Sequence, residues 1–432
     1  MSAGALRLVR EGHSGAQTAL LDRPVRLPLH RGAPAPWDVG QDLDEHLQLL
    51  GPRPAATGHG GDALWALLDQ VGLSGRGGGH FLVARKWRTA LDAGGGGTVV
   101  ANAAESEPAS AKDAVLVSRR PHLVLDGLVS AGEAIGATDH VVWLHAGDHV
   151  GHRALARALA ERRTGGLRDP AIRLVVGPDS YLSGESSAIL RGLAGGPALP
   201  AFRRTPAAVD GLGGRPAVVH NVETLARIAL LARSGADGYR LSSLFTVVGP
   251  DHRTVVEADA SWSLGEVVAA AGVPVAAAVL VGGYGGSWLP WTLAAGLGAS
   301  EAAARGAGVS LGAGVIAPLP PGGCGLAHTA AIARYLAASS ARQCGPCLFG
   351  LPAIASVLTR LTGGQAGRAD LRRLDRFIAQ VDGRGGCHHP DGAVRMARSA
   401  LSVFAADVQA HRRRRVCAGA ALPVAFPLPV TD

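Results

Sequence analysis

Between Asp62 and Ser234 the sequence switches repeatedly between two hydrophobic patterns, and this switching restricts the fold more than any other feature. Apolar residues recur at helical spacing in ALWALLDQVG, HLVLDGLVSAGEAIG, RALARALAERR and NVETLARIALLARSG. Between these lie short apolar runs, TVVANAAE, DHVVWLHAG and IRLVVGPD. Helices alternating with short apolar strands predict an α/β domain built on a largely parallel sheet.

The flanking regions read differently. Residues 1–60 are rich in Pro and Gly and are expected to form an extended lead-in to the α/β domain at 61–238. SLFTVVG, RTVVEAD, SLGEVVAAAG and AAVLVGG then give two strands, a helix and a strand, which predicts a small α+β module of β-grasp type at 239–300. After a linker at 301–325, four helical patterns follow: LAHTAAIARYLAAS, LFGLPAIASVLTRL, RADLRRLDRFIAQV and GAVRMARSALSVFAADVQAH. They predict a helical bundle at 326–415, ahead of a tail at 416–432. No internal repeat is visible.

Composition narrows the function classes. At 432 residues the chain can hold two or three domains with cores, and 47% hydrophobic with 18% charged residues is globular rather than disordered. The stretch MSAGALRLVREGHSG lacks a continuous apolar core of secretory type, which predicts a cytoplasmic protein. The uncharged runs Val267 to Ser300 and Gly306 to Ala327 are broken by GGYGGSWLPW and PLPPGGCG before about 20 apolar residues accumulate, so neither is expected to insert in a membrane. The net charge of +8 comes from scattered arginines with one dense run, HRRRRV. Aromatics make up only 4%, so no base-stacking surface for nucleic acid is expected, and the charge reads as a solvated basic surface able to dock an acidic protein. Lys86 and Lys112 are the only lysines, which marks both as places where a compact ammonium is needed.

The stretch ARQCGPCLFG sets Cys344 and Cys347 close together with two residues between them, and such a turn serves either disulfide exchange or metal binding. A redox site would follow a strand in a βαβ unit, whereas here the preceding residues are helical. Cys387 lies in another glycine-rich loop, GRGGCHHPDG, between helical patterns. Three thiols in loops between helices suit an iron-sulfur cluster or zinc better than a disulfide. All five cysteines, in a chain without an export signal, argue against a disulfide framework.

Four loops carry candidate binding residues. GLSGRGGGHFLVARKW offers Gly75, Gly77 and Gly78 for close approach of a phosphate, with Lys86 as a point charge, although a merely flexible loop reads the same way. ANAAESEPASAKD places Glu105 and Glu107 after a strand, at the sheet end where ligands bind in open α/β folds; they could hold ribose hydroxyls or cap the next helix. YLSGESSAILRGL enters a helix through Gly184 and Glu185, and HNVETLA opens one at Asn221, an N-cap residue type. Each loop alone is ordinary capping, but together they could converge on one crevice.

These motifs, in this order from about Leu64 to His411 and including GLGGRPAVVHNVETLA and GGYGGSWLP, resemble the flavoprotein subunit of respiratory complex I. They also resemble the diaphorase subunits of NAD-reducing hydrogenases and formate dehydrogenases. The resemblance implies a Rossmann-like FMN and NADH domain, a β-grasp module and a helical bundle carrying a 4Fe-4S cluster. It further implies an NADH-dependent oxidoreductase that moves electrons from NADH through FMN to the cluster and on to a ferredoxin or other subunit, peripheral to a redox complex. The FMN phosphate and ribityl chain would lie on Gly75, Gly77, Gly78 and Lys86, with Asn102, Asn221 and Thr224 completing the pocket. Tyr181, Gly184 and Glu185 would line the flavin and nicotinamide side, where Glu105 and Glu185 take the catalytic positions. Phe81 and Glu107 would meet the adenosine half of NADH. Cys344, Cys347 and Cys387 would ligate the metal.

The sequence also departs from the family pattern. The first cysteine of the cluster motif would fall at Ala341, leaving Cys417, His388, His389 or Cys324 as the fourth ligand, or a 3Fe-4S cluster. Ala104, Ser106 and Ser186 replace an Asp, a Gly and a Glu of the flavin pocket. Arg88, Thr89 and Thr205 stand where adenine-stacking aromatics are expected. An alternative reading is therefore a family member that serves as an electron relay or docking scaffold without nicotinamide chemistry. Structural zinc at the three cysteines and a histidine is a third.

Overall fold

The computed structural model describes residues 19–21, 23–28, 40–56, 59–77, 79–274 and 277–429. Gly78 and most of the expected lead-in lie outside them. The described strands are β1 (Val25–Pro28), β2 (Thr98–Asn102), β3 (Asp139–His145), β4 (Ile172–Gly177), β5 (Ala217–Asn221), β6 (Ser242–Val248), β7 (His252–Asp259), β8 (Ala278–Val281), β9 (Ser287–Pro290) and β10 (Val315–Pro318). The chain divides into two units. The first draws on Met1–Arg23, Pro34–Ser106 and Lys112–Leu244, and the second on Pro24–Ala33, Glu107–Ala111 and Phe245–Asp432.

The first unit holds a four-stranded sheet of order β4-β3-β2-β5, parallel throughout. Val99, Val100, Val141, Val142 and Val218 are fully buried, which explains why these strands read as continuous apolar runs. Helices Lys112–Arg119 and Pro121–Ile135 lead from β2 to β3, and His149–Thr164 leads from β3 to β4. After β4 and helix Ser186–Leu193 the chain returns to the opposite edge, so β5 pairs with β2 and the strand order reverses between those two. In open parallel sheets the crevice beyond the strand C-termini at such a reversal is where ligands bind. Helix Val222–Gly238 follows β5 directly and packs on Pro121–Ile135. Gly127 permits that close approach, since a Cβ there would stand 1.9 Å from the Leu225 carbonyl oxygen.

The second unit holds a mixed six-stranded sheet of order β1-β7-β6-β10-β8-β9. β10 runs parallel to β6 and antiparallel to β8. Phe245, Val247, Leu264, Val267, Val279, Val281 and Ile316 form its core against helix Leu264–Ala270, which begins with a Ser263/Glu266 capping box. Helix Glu301–Gly306 and β10 occupy much of the segment expected to be a linker, and β1 comes from the expected lead-in. The helical region comprises Gly325–Ala338, Leu351–Thr362 entered through a π-helical turn at Pro346–Gly350, Arg368–Val381, His389–Val403 and Ala405–Arg412. The last of the four patterns is thus two helices, parted at Phe404. Among the described residues no helix is long and apolar enough to cross a membrane.

Candidate functional site

Asn102 and Asn221 end β2 and β5 and are directly paired in register, so both side chains stand at the reversal point of the sheet. The Asn102 amide donates to the Gly184 carbonyl at 2.8 Å and its oxygen accepts from Ala104 N–H at 3.1 Å, tying the loop after β2 to the turn after β4. Gly184 is needed there, because a Cβ would lie 2.3 Å from Ser106 Oγ. Asn221 caps helix Val222–Gly238 by accepting from Glu223 N–H and donates to Asp113 at 2.7 Å.

The glycine-rich loop is pinned to the same helix. Arg76 N–H donates to Thr224 Oγ1 at 2.9 Å, and the Arg76 guanidinium pairs with Glu223 at 3.1 Å. The loop folds back on itself through Gly75 N–H donating to Phe81 O and His80 N–H donating to Gly77 O, with His80 at φ 44 in the left-handed region. A Cβ on Gly77 would meet nothing within 4 Å, so protein packing does not demand a glycine there. Phe81 projects from the loop 70% exposed.

The two lysines have opposite surroundings. Lys112 is buried and ion-paired with Asp113 at 2.6 Å and Glu223 at 3.1 Å. Burial would lower its pKa, but these carboxylates raise it. Burial also pushes Asp113 up to about 6 despite Lys112. Glu223, though buried, is held well below the usual carboxylate range by Arg76, Lys112 and Arg227. Lys86 is half-buried and donates to the neutral Val219 carbonyl at 2.7 Å. Burial brings it down to about 8, and among the described residues no carboxylate offsets this. The adjacent Trp87 is fully buried and donates to His220 Nε2 at 2.8 Å, which fixes helix Val83–Asp92 on β5.

Several expected site residues are engaged in capping. Glu105 accepts from Asp113 N–H at 3.2 Å and Ala114 N–H at 3.0 Å, at the start of helix Lys112–Arg119. Glu185 is exposed and caps helix Ser186–Leu193, accepting from Ser187 and Ala188. Tyr181 and Gly184 form the turn before that helix. Glu107 belongs to the second unit, where it accepts from Tyr284 N–H at 2.9 Å within GGYGGSWLP. Sequence reasoning missed Arg76, Asp113 and Glu223 as the charges that organise the crevice. The one signal for Asp113 and Glu223 was a charge set at the start of an apolar helix, whereas Arg76 stands alone among the loop glycines.

The cysteines fall into two groups. Cys344 and Cys387 act on Cys347, and burial together with these two thiols pushes Cys347 up to about 12. Cys344 is lowered despite burial, because the Gly386 and Cys347 amides donate to it. The three motif cysteines do not form a trio with all ligand atoms within 4.8 Å of one another among the described residues. Cys324 and Cys417 lie with His411 instead. His389 bonds to the Leu336 carbonyl at 2.8 Å, and His388 is solvent-exposed beside Asp391.

Comparison with known proteins fits this arrangement. The family described as Nuo51 FMN-binding domain matches residues 68–230, and the one described as NADH-ubiquinone oxidoreductase-F iron-sulfur binding region matches 327–411. An NADH-quinone oxidoreductase subunit of Rhizobium meliloti is 29% identical over 387 residues, covering 82% of this chain and 90% of that one. NAD-reducing hydrogenase HoxS subunit alpha of Cupriavidus necator is 32% identical over 234 residues, 50% of this chain and 39% of that one. The crystal structure of an NAD+-reducing [NiFe]-hydrogenase in the air-oxidized state superposes with a TM-score of 0.75 at 27% identity, over 89% of this chain and 68% of that one. The two family matches together span more than half of the chain, and the chain belongs to the family of complex I flavoprotein subunits and related hydrogenase subunits.

Proposed function

We propose that this chain is an electron-transfer flavo-iron-sulfur subunit that oxidises NADH and passes the electrons through FMN and an iron-sulfur cluster to a ferredoxin or another subunit, in the cytoplasm. The observation that carries the reading is Lys86, a half-buried ammonium with a neutral partner in the helix that follows the glycine loop, together with open space at Gly77 in that loop. A phosphate would supply the missing counter-charge, so the donor set fits FMN. When bound, FMN supplies the step from a two-electron donor to single electrons.

In this reading the first unit is a Rossmann-like FMN and NADH domain, β6 to β10 belong to a β-grasp module, and the helices from Gly325 onward form the iron-sulfur bundle. Lys86 holds the flavin phosphate, while Gly75 and Gly77 keep the backbone clear for it. Asn102, Asn221 and Thr224 fix the walls of the ribityl pocket, since each is already anchored across elements. Tyr181, Gly184 and Glu185 line the nicotinamide side, with Glu105 holding the loop after β2 against the helix behind it. Phe81, free to stack, faces adenosine. Cys344, Cys347 and Cys387 ligate the cluster, a 4Fe-4S centre with a non-cysteine fourth ligand or a 3Fe-4S centre.

The test is NADH-dependent reduction of ferricyanide by the full chain reconstituted with FMN, iron and sulfide. Activity that requires added FMN supports the reading, and a rate indifferent to flavin removal contradicts it. Cys387→Ser is expected to abolish the cluster absorbance, whereas unaltered iron content in that variant would assign the cluster to other ligands.

A further inference from the structure

A second trio of ligand-type side chains lies in the helical region of the second unit. Cys324, at the N-terminus of helix Gly325–Ala338, His411, in the last turn of Ala405–Arg412, and Cys417 each contribute a ligand atom, and these atoms all lie within 4.8 Å of one another. Cys324 and His411 are buried. His411 Nε2 stands 3.4 Å from Cys417 Sγ. Around a tetrahedral zinc ion, with Zn–N about 2.0 Å and Zn–S about 2.3 Å, a nitrogen and a sulfur ligand are about 3.5 Å apart. The pair therefore already spans one edge of such a tetrahedron.

Two backbone features bring the trio together. Arg414 adopts φ 63, a left-handed conformation unusual for a side chain of its size, and turns the chain after the helix so that Cys417 N–H reaches His411 Nε2 at 3.3 Å. Gly419 then packs against the loop before Cys324. A Cβ at 419 would stand 2.1 Å from the Gly322 carbonyl oxygen and 3.0 Å from the Cys324 amide nitrogen. A disulfide would account for two of the three side chains but not for a fully buried imidazole aimed at one of the sulfurs.

We propose that Cys324, His411 and Cys417 bind one Zn2+ ion, with water in the fourth position, and that this ion ties the segment after the last helix to the start of helix Gly325–Ala338. Binding replaces the two thiol protons, which go to solvent, and His411 ligates through the Nε2 lone pair, which gives up its hydrogen bond from the Cys417 N–H. The site uses none of the cluster cysteines and does not depend on the flavin assignment.

The test is an anaerobic Co2+ titration of the full chain carrying Cys347→Ser and Cys387→Ser, so that the cluster site cannot compete. One equivalent of Co2+ is expected to give thiolate charge-transfer and tetrahedral d–d bands. One equivalent of Zn2+ is expected to displace them and to raise the melting temperature. Adding Cys324→Ala, Cys417→Ala or His411→Asn is expected to remove the tight equivalent. Absence of these bands in the parent chain overturns the proposal whether or not the further variants fold. Bands unchanged by all three further substitutions, or a Cys324–Cys417 disulfide in the anaerobically purified protein, overturn it as well.

Discussion

The surroundings of Lys112 and Lys86 show how one chemical group serves two purposes in the same unit. Around Lys112 the charges are complete: Asp113, Glu223, Arg76 and Arg227 are mutually paired and buried, and they lock the starts of two helices to the glycine-rich loop. Around Lys86 they are incomplete, with a neutral carbonyl as partner and a pKa brought down by burial to about 8. A buried network of opposed charges specifies geometry, whereas a half-buried cation with only a neutral partner suits a place where a ligand supplies the anion. We read the first region as the scaffold of the proposed crevice and the second as its proposed phosphate-binding group.

The comparison can be broken at several points. The largest effect is expected from Glu223→Gln, which leaves Lys112, Arg76 and Arg227 without their shared carboxylate. Removing one partner of a buried ion pair costs about 3–5 kcal/mol, so a melting temperature close to wild type would refute the structural role of the network. Lys86→Ala is expected to leave the fold intact and weaken FMN binding by about 1.5–3 kcal/mol, the value of a hydrogen bond to a charged group, and unchanged flavin retention would remove Lys86 from the site. Gly184→Ala forces a Cβ against Ser106 and Ala104, and overpacking of this kind costs about 1–3 kcal/mol. Thermal melts that match wild type would show that the turn after β4 can shift.

The smallest effect is on pH dependence. Lys86 titrates at about 8 in the folded chain, against the ordinary lysine value of 10.5. Between these values the unfolded chain keeps a proton that the folded chain has released, so this residue makes the flavin-free protein more stable as pH rises through that window. FMN binding follows the opposite sign, because the phosphate favours the ammonium. Affinity is expected to fall from about pH 7 to about pH 9 in wild type and to fall less in Lys86→Ala. Identical slopes would separate Lys86 from the phosphate.

Much of this was readable in the sequence, for physical reasons. β2, β3 and β4 were legible as short apolar runs, and in β2 and β3 the burial of both faces explains why those runs are so uniform. β5 was hidden because Ala217–Asn221 runs straight into a helix at Asn221, with no turn residues to mark the change. β9 and β10 were obscured inside uncharged, glycine-rich runs that lack a clear period. For the site, loop placement and the capping of Glu105, Glu185 and Asn221 followed from local spacing. The pairing of Arg76 and Lys112 with Glu223 did not, since those partners are distant in sequence and only the parallel pairing of β2 with β5 brings their elements together. In the same way, Cys324 and Cys417 were legible as spare thiols, but their grouping with His411 depends on the left-handed turn at Arg414.

The most direct test of the central claim is the anaerobic visible spectrum of the chain reconstituted with FMN, iron and sulfide, recorded before and after NADH is added. Bleaching of both flavin and cluster bands by NADH is the predicted result. A cluster band with no NADH-dependent bleaching would contradict the account and leave an iron-sulfur relay that receives its electrons from a partner.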